Sequence, residues 1–237
     1  MIPKKIHYCW FGGNPMPNIV KKCIKSWKKK CPDYEIVLWN EENFDINCNS
    51  FVKKAHEMKA WAFVSDYARL KIVYDNGGIY LDTDVEVLKN LDELLNNKAF
   101  FGVQQCEKQI NTGLCFGAEK NNDIIKKMLD IYANIKFEND KKEQFLCPIL
   151  NTNVLEKIGY NYSNEIQEIK NKILIYPPKY FDPIAPGNSE NLLSKDSFSI
   201  HHYSATWTNT NNKIKRKIIN FIGQKKINYI KKIIRRM

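Results

Sequence analysis

The chain has 237 residues, of which 43% are hydrophobic and 27% are charged. This composition excludes a disordered protein, and the length suits one sizeable domain. No apolar run approaches the roughly 20 residues of a membrane-spanning helix, and the N-terminal stretch lacks the apolar segment of a signal peptide, so we expect a cytoplasmic protein. The seven cysteines include no CxxC pair and are expected to be free thiols.

The net charge of +11 is unevenly distributed along the chain. Residues 211–237 contain ten of the 37 basic residues and no acidic residue, which leaves 27 basic and 26 acidic residues in residues 1–210. We therefore divide the chain into a nearly neutral domain, residues 1–210, and a basic tail, residues 211–237. The charge of the domain does not favour nucleic-acid binding.

The first 40 residues show alternating strand and helix patterns. "KKIHYCWF" (residues 4–11) is rich in β-branched and aromatic residues and predicts a strand that ends at two glycines. "PNIVKKCIKSWKKKCP" (17–32) has apolar residues at helical spacing with lysines on the other face, and it predicts a helix. "YEIVLWN" (34–40) predicts a second strand. This alternation favours a parallel sheet with crossover helices.

The centre of the chain predicts a helix followed directly by a strand. The helix lies in "AWAFVSDYARLKIVYDNGG" (60–78), with Ser65 at its cap or in its first turn and a stop at Gly77 and Gly78. "GIYLDTDVEVL" (78–88) then reads as one strand. The remaining patterns predict two strands, a helix, a short strand with a proline-rich loop, and a closing segment: "NKAFFGVQ" (97–104), "INTGLCFGA" (110–118), "NDIIKKMLDIYANI" (122–135), "KILIYPPKYFDPIAPGNSE" (172–190) and "SFSIHHYSATW" (197–207).

Two aspartates stand at the end of this central strand. Because side chains in a strand alternate between faces, Asp82, Asp84 and Glu86 are expected on one face. Two adjacent carboxylates repel each other unless a cation lies between them. Oxygen ligands of this kind suit Mg²⁺ or Mn²⁺. The alternative is a strand with one solvent-exposed polar face.

The preceding helix adds a second charged pair. Asp66 and Arg69 are three residues apart and share one helical face. The alternative interpretation is a surface ion pair, which contributes little to stability. Because the helix stops immediately before the acidic strand, we expect Asp66, Arg69, Asp82 and Asp84 to converge on one cleft.

At this point the sequence resembles a known family. "IPKKIHYCWFGG", "AFVSDYARLKIVYDNGGIYLDTDVEVL" and "HHYSATW" are similar to bacterial members of glycosyltransferase family 32, a DXD-containing group. A more distant similarity is to the glucosylating domain of large clostridial toxins. The resemblance covers about residues 2–207. It implies a GT-A fold, that is, a Rossmann-like α/β domain with a mixed sheet flanked by helices.

The resemblance assigns residues to the nucleotide-sugar by position. It implies that Cys9 and Trp10 line the base pocket. It further implies that Ser65, Asp66 and Arg69 hold the ribose and the hydroxyl groups of the donor sugar. For Trp10, packing in the core is the alternative.

The resemblance also implies a set of residues around the diphosphate and a metal ion. Tyr80 would lie beside the diphosphate, Asp82 would contact the ribose and a metal-bound water, and Asp84 would ligate the metal directly. Asn111, in "INTG", corresponds to a family position near the donor sugar. A turn residue is the alternative for Asn111.

The closing segment supplies two further implied contacts. His202 corresponds to a C-terminal metal ligand of the family, and Trp207 to an indole that contacts the diphosphate. His201 and His202 point to opposite faces of a strand, so we expect one of them to reach the metal, and the resemblance favours His202. Core packing is the alternative for Trp207.

The resemblance implies a retaining hexosyltransferase that uses Mn²⁺ or Mg²⁺. The donor would be a UDP-hexose or UDP-N-acetylhexosamine, and the acceptor a saccharide or lipid-linked saccharide in surface polysaccharide synthesis. Metal, Arg69 and Trp207 would stabilise negative charge on the departing diphosphate. The sequence itself identifies no nucleophile, and a front-face route needs none.

The basic tail has helical periodicity on both sides of Gly223. Apolar residues cluster on one face and lysines and arginines on the other, which is typical of a helix that lies on an anionic membrane surface. We therefore expect a cytoplasmic protein held peripherally at the inner face of the cytoplasmic membrane. The alternative is a helix that packs on the domain.

Two other functions fit parts of the sequence. Haloacid-dehalogenase phosphatases also place a DxD after an apolar strand, but they need a later acidic pair, and the chain contains no Asp-Asp. A nucleic-acid-binding protein could use the basic tail, but the tail offers only Phe221 and Tyr229 for stacking on bases. We expect no nucleic-acid partner.

Overall fold

The computed structural model describes residues 1–170, 172–187 and 190–204, so Trp207 and residues 211–237 lie outside the described residues. Within this part, a sheet of seven strands has the order β2-β1-β3-β6-β5-β8-β7, and β4 and β9 form a second, two-stranded sheet. The strands are β1 (Lys5–Cys9), β2 (Glu35–Trp39), β3 (Gly78–Tyr80), β4 (Val85–Val87), β5 (Ala99–Gly102), β6 (Phe116–Ala118), β7 (Gln167–Ile169), β8 (Ile173–Tyr176) and β9 (Ser199–His201).

The large sheet is mixed. β1 pairs in parallel with β2 and β3, and β5 pairs in parallel with β8, whereas β6 is antiparallel to β3 and β5. The α-helices are α1 (Asn18–Lys30), α2 (Ser50–Glu57), α3 (Trp61–Asn76), α4 (Asp123–Tyr132), α5 (Cys147–Glu156) and α6 (Pro178–Phe181), and 3₁₀ helices span Asp92–Leu94 and Asn139–Phe145. None of the helices among the described residues has both the length and the hydropathy needed to cross a membrane.

Two hydrophobic clusters cover the two faces of the large sheet. Adjacent strand residues divide between them: Phe101 belongs to the cluster that contains Phe51 and Val64, and Phe100 belongs to the cluster that contains Trp27. This division follows from the alternation of side chains in β5. The prediction of a mixed sheet flanked by helices is confirmed, and all seven cysteines are free.

The structure corrects the prediction of a single strand over residues 78–88. β3 ends at Tyr80 and β4 begins at Val85, with a turn between them in which the Val85 N–H donates to the Asp82 carbonyl at 3.0 Å. The Asp82 N–H donates to the Gly113 carbonyl at 3.2 Å. The two aspartates therefore come together through a turn and not through strand alternation, and Glu86 does not join them.

Candidate active site

Helix α3 and the two glycines after it position the charged residues of the site. Gly77 and Gly78 have φ angles of +67° and +109°, which favour glycine, and a Cβ on Gly78 would lie 2.8 Å from His7 Nε2. The chain can therefore turn sharply from α3 into β3, as the sequence predicts. The predicted cap is wrong, because α3 begins at Trp61 and Ser65 lies inside the helix.

Arg69 forms ion pairs with one carboxylate of α3, Asp66, and with one carboxylate of the turn, Asp82. Its Nη2 lies 3.1 Å from Asp66 Oδ1 and 3.0 Å from Asp82 Oδ1, and its side chain is only 5% exposed. The Tyr80 hydroxyl donates to the same Asp82 oxygen at 3.1 Å, and the guanidinium lies over the Tyr80 ring at 5.1 Å. A buried guanidinium thus balances two acidic side chains, and the surface-pair alternative for Asp66 and Arg69 is excluded.

Asp84 is held by the closing segment of the described chain. β4 and β9 are antiparallel with Val85 opposite His201, which brings His201 Nε2 to 3.0 Å from Asp84 Oδ1. The other oxygen, Oδ2, accepts hydrogen bonds from the Ser204 N–H at 2.7 Å and the Ser204 hydroxyl at 2.8 Å. Pairing of strands far apart in sequence therefore completes the surroundings of the second aspartate.

The structure places His201, and not His202, beside the aspartates. His202 Nε2 lies 2.9 Å from Glu86 Oε2, on a carboxylate that also contacts Lys22 at 3.0 Å. The predicted grouping of His202 with Asp82 and Asp84 is therefore wrong, although the rule that only one of the two histidines can face this site holds. The physical reason is the register between β4 and β9.

The carboxyl groups of the site differ in acidity. Burial raises the pKa of Asp66 to about 6, and the attraction of Arg69 only partly opposes it. Burial also raises the pKa of Asp82 against the same opposing charge. For Asp84, burial acts in the same direction, but His201 and Ser204 outweigh it and hold the pKa below its usual range. Asp84 is therefore ionised at neutral pH.

A cleft of about 390 Å³ opens over these residues. One part of its wall is apolar and includes Trp10, Trp61 and Phe63, and the other part is charged. The predicted site residues that line it are Cys9, Trp10, Ser65, Asp66, Arg69, Tyr80, Asp82, Asp84 and Asn111. The expected convergence of Asp66, Arg69, Asp82 and Asp84 on one cleft is therefore seen in the structure, and the binding roles of the nine residues remain predictions. His202 is not among the lining residues, and Trp207 lies outside the described part.

Asn111 is a turn residue that also lines the cleft, and its contact with the donor sugar remains a prediction. Its Oδ1 accepts from the Gly113 N–H at 2.8 Å, as in a turn, and its Nδ2 donates to Gln104 Oε1 at 3.0 Å. The same residue lines the cleft.

Sequence reasoning missed three residues of the site. A Cβ on Gly113 would lie 2.4 Å from Asp82 Oδ2, so a larger residue here would have to displace the carboxylate. Cys147 places its Sγ 3.6 Å from Arg69 Nη1, and Tyr203 lines the cleft beside His201. The "NTG" turn was a usable signal for Gly113, and Tyr203 stands in the "HHYSATW" segment that carries the resemblance, whereas Cys147 comes from a segment with no distinctive local pattern.

The residues present fit a divalent cation. Asp82, Asp84 and His201 each offer one ligand atom, and these atoms lie within 4.8 Å of one another. The two carboxylates supply the oxygen ligands that suit Mn²⁺ or Mg²⁺, and the imidazole adds a nitrogen ligand of the kind that transition metals accept. Because nearby carboxylates raise the pKa of His201 against the effect of burial, cation binding through this imidazole would require release of its proton.

Comparisons with known proteins find glycosyltransferases among the sequences that resemble this chain. Residues 17–101 match the sequence model of the glycosyltransferase sugar-binding region containing the DXD motif. The initiation-specific alpha-1,6-mannosyltransferase of Candida albicans is 28% identical over 131 residues, which are 51% of this chain and 33% of that protein. An uncharacterized glycosyltransferase of Acanthamoeba polyphaga mimivirus is 25% identical over 223 residues, covering 87% of this chain and 84% of that protein.

A solved structure supports the fold. The PaToxG glycosyltransferase superposes with a TM-score of 0.50 at 19% identity, over 66% of this chain and 68% of that chain. The GT-A prediction is confirmed by this likeness. The chain spans between 27% and 33% of the length of four of the curated relatives that it matches.

Proposed function

We propose that the chain is a metal-dependent, retaining hexosyltransferase, because residues 17–101 match the glycosyltransferase sugar-binding region containing the DXD motif. The donor in this proposal is a nucleotide-sugar, a UDP-hexose or UDP-N-acetylhexosamine, and the acceptor is a saccharide. The observation that carries the proposal is the convergence of two charged groups in one cleft. Asp82, Asp84 and His201 form one group, and Asp66 and Arg69 form the other.

The first group would hold the divalent cation. Asp82 is oriented by Arg69 and Tyr80, and Asp84 by Ser204. A divalent cation held there would neutralise negative charge on the diphosphate of the donor as it leaves. The apolar wall of the cleft suits a nucleoside base, because an aromatic surface binds the face of a base.

The second group would bind the donor sugar. The pKa of Asp66 is about 6, so the carboxylate form predominates at neutral pH and can accept hydrogen bonds from sugar hydroxyls. The buried Arg69 side chain contacts both Asp66 and Asp82 and keeps the two carboxylates in fixed positions. Preorganised charges of this kind lower the barrier because they need not reorient during the reaction.

The carboxylates that line the cleft among the described residues are all engaged. Asp66 and Asp82 contact Arg69, and Asp84 contacts His201 and Ser204. We therefore assign no enzymic nucleophile. In the proposed front-face reaction, the bond from the anomeric carbon to the diphosphate breaks, the bond to the acceptor oxygen forms on the same face, and the acceptor proton passes to a departing phosphate oxygen.

Turnover of a panel of UDP-sugars and GDP-sugars with Mn²⁺ tests this proposal. Asp84→Ala should lower turnover of the preferred donor by about 100-fold or more, since removal of one charge-stabilising group has effects of this size. Glu86→Ala is the matched control, because Glu86 lies two residues away and contacts His202 and Lys22 instead. Equal turnover by wild type and Asp84→Ala contradicts the proposal. Phosphatase activity without nucleotide-sugar turnover would favour the haloacid-dehalogenase alternative.

We further propose that the acceptor is lipid-linked and that the basic tail binds the anionic inner face of the membrane. Basic residues near such a surface contribute roughly 1 kcal/mol each, and residues 211–237 contain ten. Deletion of residues 211–237 should move the protein from the membrane to the supernatant fraction of lysed cells. An unchanged distribution contradicts the role of the tail. It does not bear on the catalytic proposal, which the turnover experiment tests.

A further inference from the structure

A buried carboxylate outside the cleft is linked to the candidate metal ligands. Asp182, at the C-terminal end of α6, has no exposed surface and is not among the residues that line the cleft. Its Oδ2 accepts hydrogen bonds from the Gln105 N–H at 2.7 Å and from the Tyr203 hydroxyl at 2.8 Å. Burying a carboxylate costs free energy unless hydrogen bonds or opposite charges compensate it. The hydrogen bond between Asp182 and Tyr203 is one of these compensating contacts.

Tyr203 packs against His201, one of the candidate metal ligands. The Nε2 atom of His201 faces Asp84, whereas its Nδ1 is buried and has no hydrogen-bond partner within the described ranges. A metal-binding histidine is usually oriented by a hydrogen bond from its second ring nitrogen. Here the Tyr203 ring packs against the imidazole instead, with ring centroids 4.1 Å apart and planes at 58°. The Tyr203 ring therefore restricts the orientation of the imidazole by packing and not by a hydrogen bond.

The backbone at Tyr203 has a second effect. Its φ angle of +49° lies in the left-handed region, which is uncommon for a residue with a bulky side chain. The turn made there brings the N–H and hydroxyl of Ser204 to Asp84 Oδ2. A strained conformation persists only when surrounding contacts hold it, and the hydrogen bond from Tyr203 to Asp182 is such a contact.

We propose that Asp182 is a positioning residue that acts through Tyr203 to fix His201 and Ser204 around Asp84, and thereby sets the affinity of the site for a divalent cation. This inference rests on the proposed function, because it assumes that Asp82, Asp84 and His201 bind the cation. Asp182 itself touches neither the cation nor the substrate. It connects the loop after α6, the loop at Gln105 and the turn after β9.

The test is a Mn²⁺ titration of the full chain followed by electron paramagnetic resonance, with UDP at a fixed concentration and a UDP-only blank. Tyr203→Phe removes the hydroxyl but keeps the ring, and it should weaken Mn²⁺ binding about 10-fold, which is typical for loss of a group that orients a ligand. Tyr34→Phe is the matched control, since the Tyr34 hydroxyl donates to Asp92 Oδ1 at 2.9 Å and neither residue lines the cleft. Thermal unfolding of both variants reports any general loss of stability.

Variants of Asp182 complete the experiment. Asp182→Asn retains an oxygen that can accept from Tyr203 and Gln105, so it should bind Mn²⁺ nearly as well as wild type. Asp182→Ala removes the acceptor and should match or exceed the loss in Tyr203→Phe. The inference is overturned if Tyr203→Phe binds Mn²⁺ like wild type, or if Tyr34→Phe is weakened equally. Failure of the wild type itself to bind Mn²⁺ would contradict the proposed function and the inference with it.

Discussion

Replacement of Arg69 by methionine tests the charge balance on which the candidate site is built. Methionine has a similar length but no charge, so the variant leaves Asp66 and Asp82 without the guanidinium that lies 3.1 Å and 3.0 Å from them. Removing one partner of a buried ion pair costs about 3–5 kcal/mol. Because the Arg69 side chain is only 5% exposed, we expect a loss in this range at pH 7.5.

The loss should depend on pH in a definite direction. The pKa of Asp66 is already raised to about 6 by burial with Arg69 present, and removal of the cation raises it further. A carboxyl whose folded-state pKa lies above its unfolded value destabilises the fold as pH rises through that range. Above pH 6 wild type progressively loses a proton that the variant keeps, so the difference should grow by up to about 1.4 kcal/mol per pH unit, or by roughly 1.5 kcal/mol between pH 6 and 7.5.

Urea unfolding followed by tryptophan fluorescence, at pH 6 and pH 7.5, measures this effect. Arg69→Lys keeps a positive charge and should show a smaller loss with little pH dependence. Lys54→Met removes a surface ion pair with Glu57 at 3.1 Å and should cost at most about 1 kcal/mol. A loss for Arg69→Met that is the same at both pH values would refute the reasoning.

Three further predictions concern other residues of the candidate site. Gly113→Ala places a Cβ 2.4 Å from Asp82 Oδ2. The overpacking should lower the free energy of unfolding by about 1–3 kcal/mol and should weaken Mn²⁺ binding. Unchanged binding would show that Asp82 is not a ligand. Nucleotide-sugar turnover should rise with pH through about 6 as Asp66 ionises, and Asp66→Asn should lose this rise; an identical pH profile for the variant contradicts the assignment. His201→Ala should weaken Mn²⁺ binding by more than the roughly tenfold loss expected for a group that only orients a ligand, whereas His202→Ala should not. The reverse order of effects would support His202 as the metal ligand, as the sequence analysis expects.

The parts of the fold that the sequence predicts are those with local signals. Helix α1 has a regular apolar stripe and ends before Pro32, and α3 ends at a glycine pair whose backbone angles require glycine. Because the chain reverses at Gly77 and Gly78, the segment after β3 returns along α3 and meets the charged residues in the middle of that helix. The convergence of Asp66, Arg69, Asp82 and Asp84 was therefore predictable.

The details that the sequence misses depend on distant pairing. The break between β3 and β4 is stabilised by the Asp82 N–H, which donates to Gly113 in another loop. The choice between His201 and His202 depends on the register of β9 against β4, and strand alternation leaves two options until that register is known. Helix α5 escapes notice because Asn151 and Thr152 are buried among its apolar residues and blur the helical periodicity.

The most direct test of the account is an anomalous difference map at the manganese absorption edge, from a crystal of the full chain grown with Mn²⁺ and UDP. The account predicts a peak within coordination distance of carboxylate oxygens of Asp82 or Asp84 and of the His201 imidazole, with the UDP diphosphate bound to the same ion. A bound UDP without a peak there, or a peak that instead lies between Glu86 and His202, would contradict it.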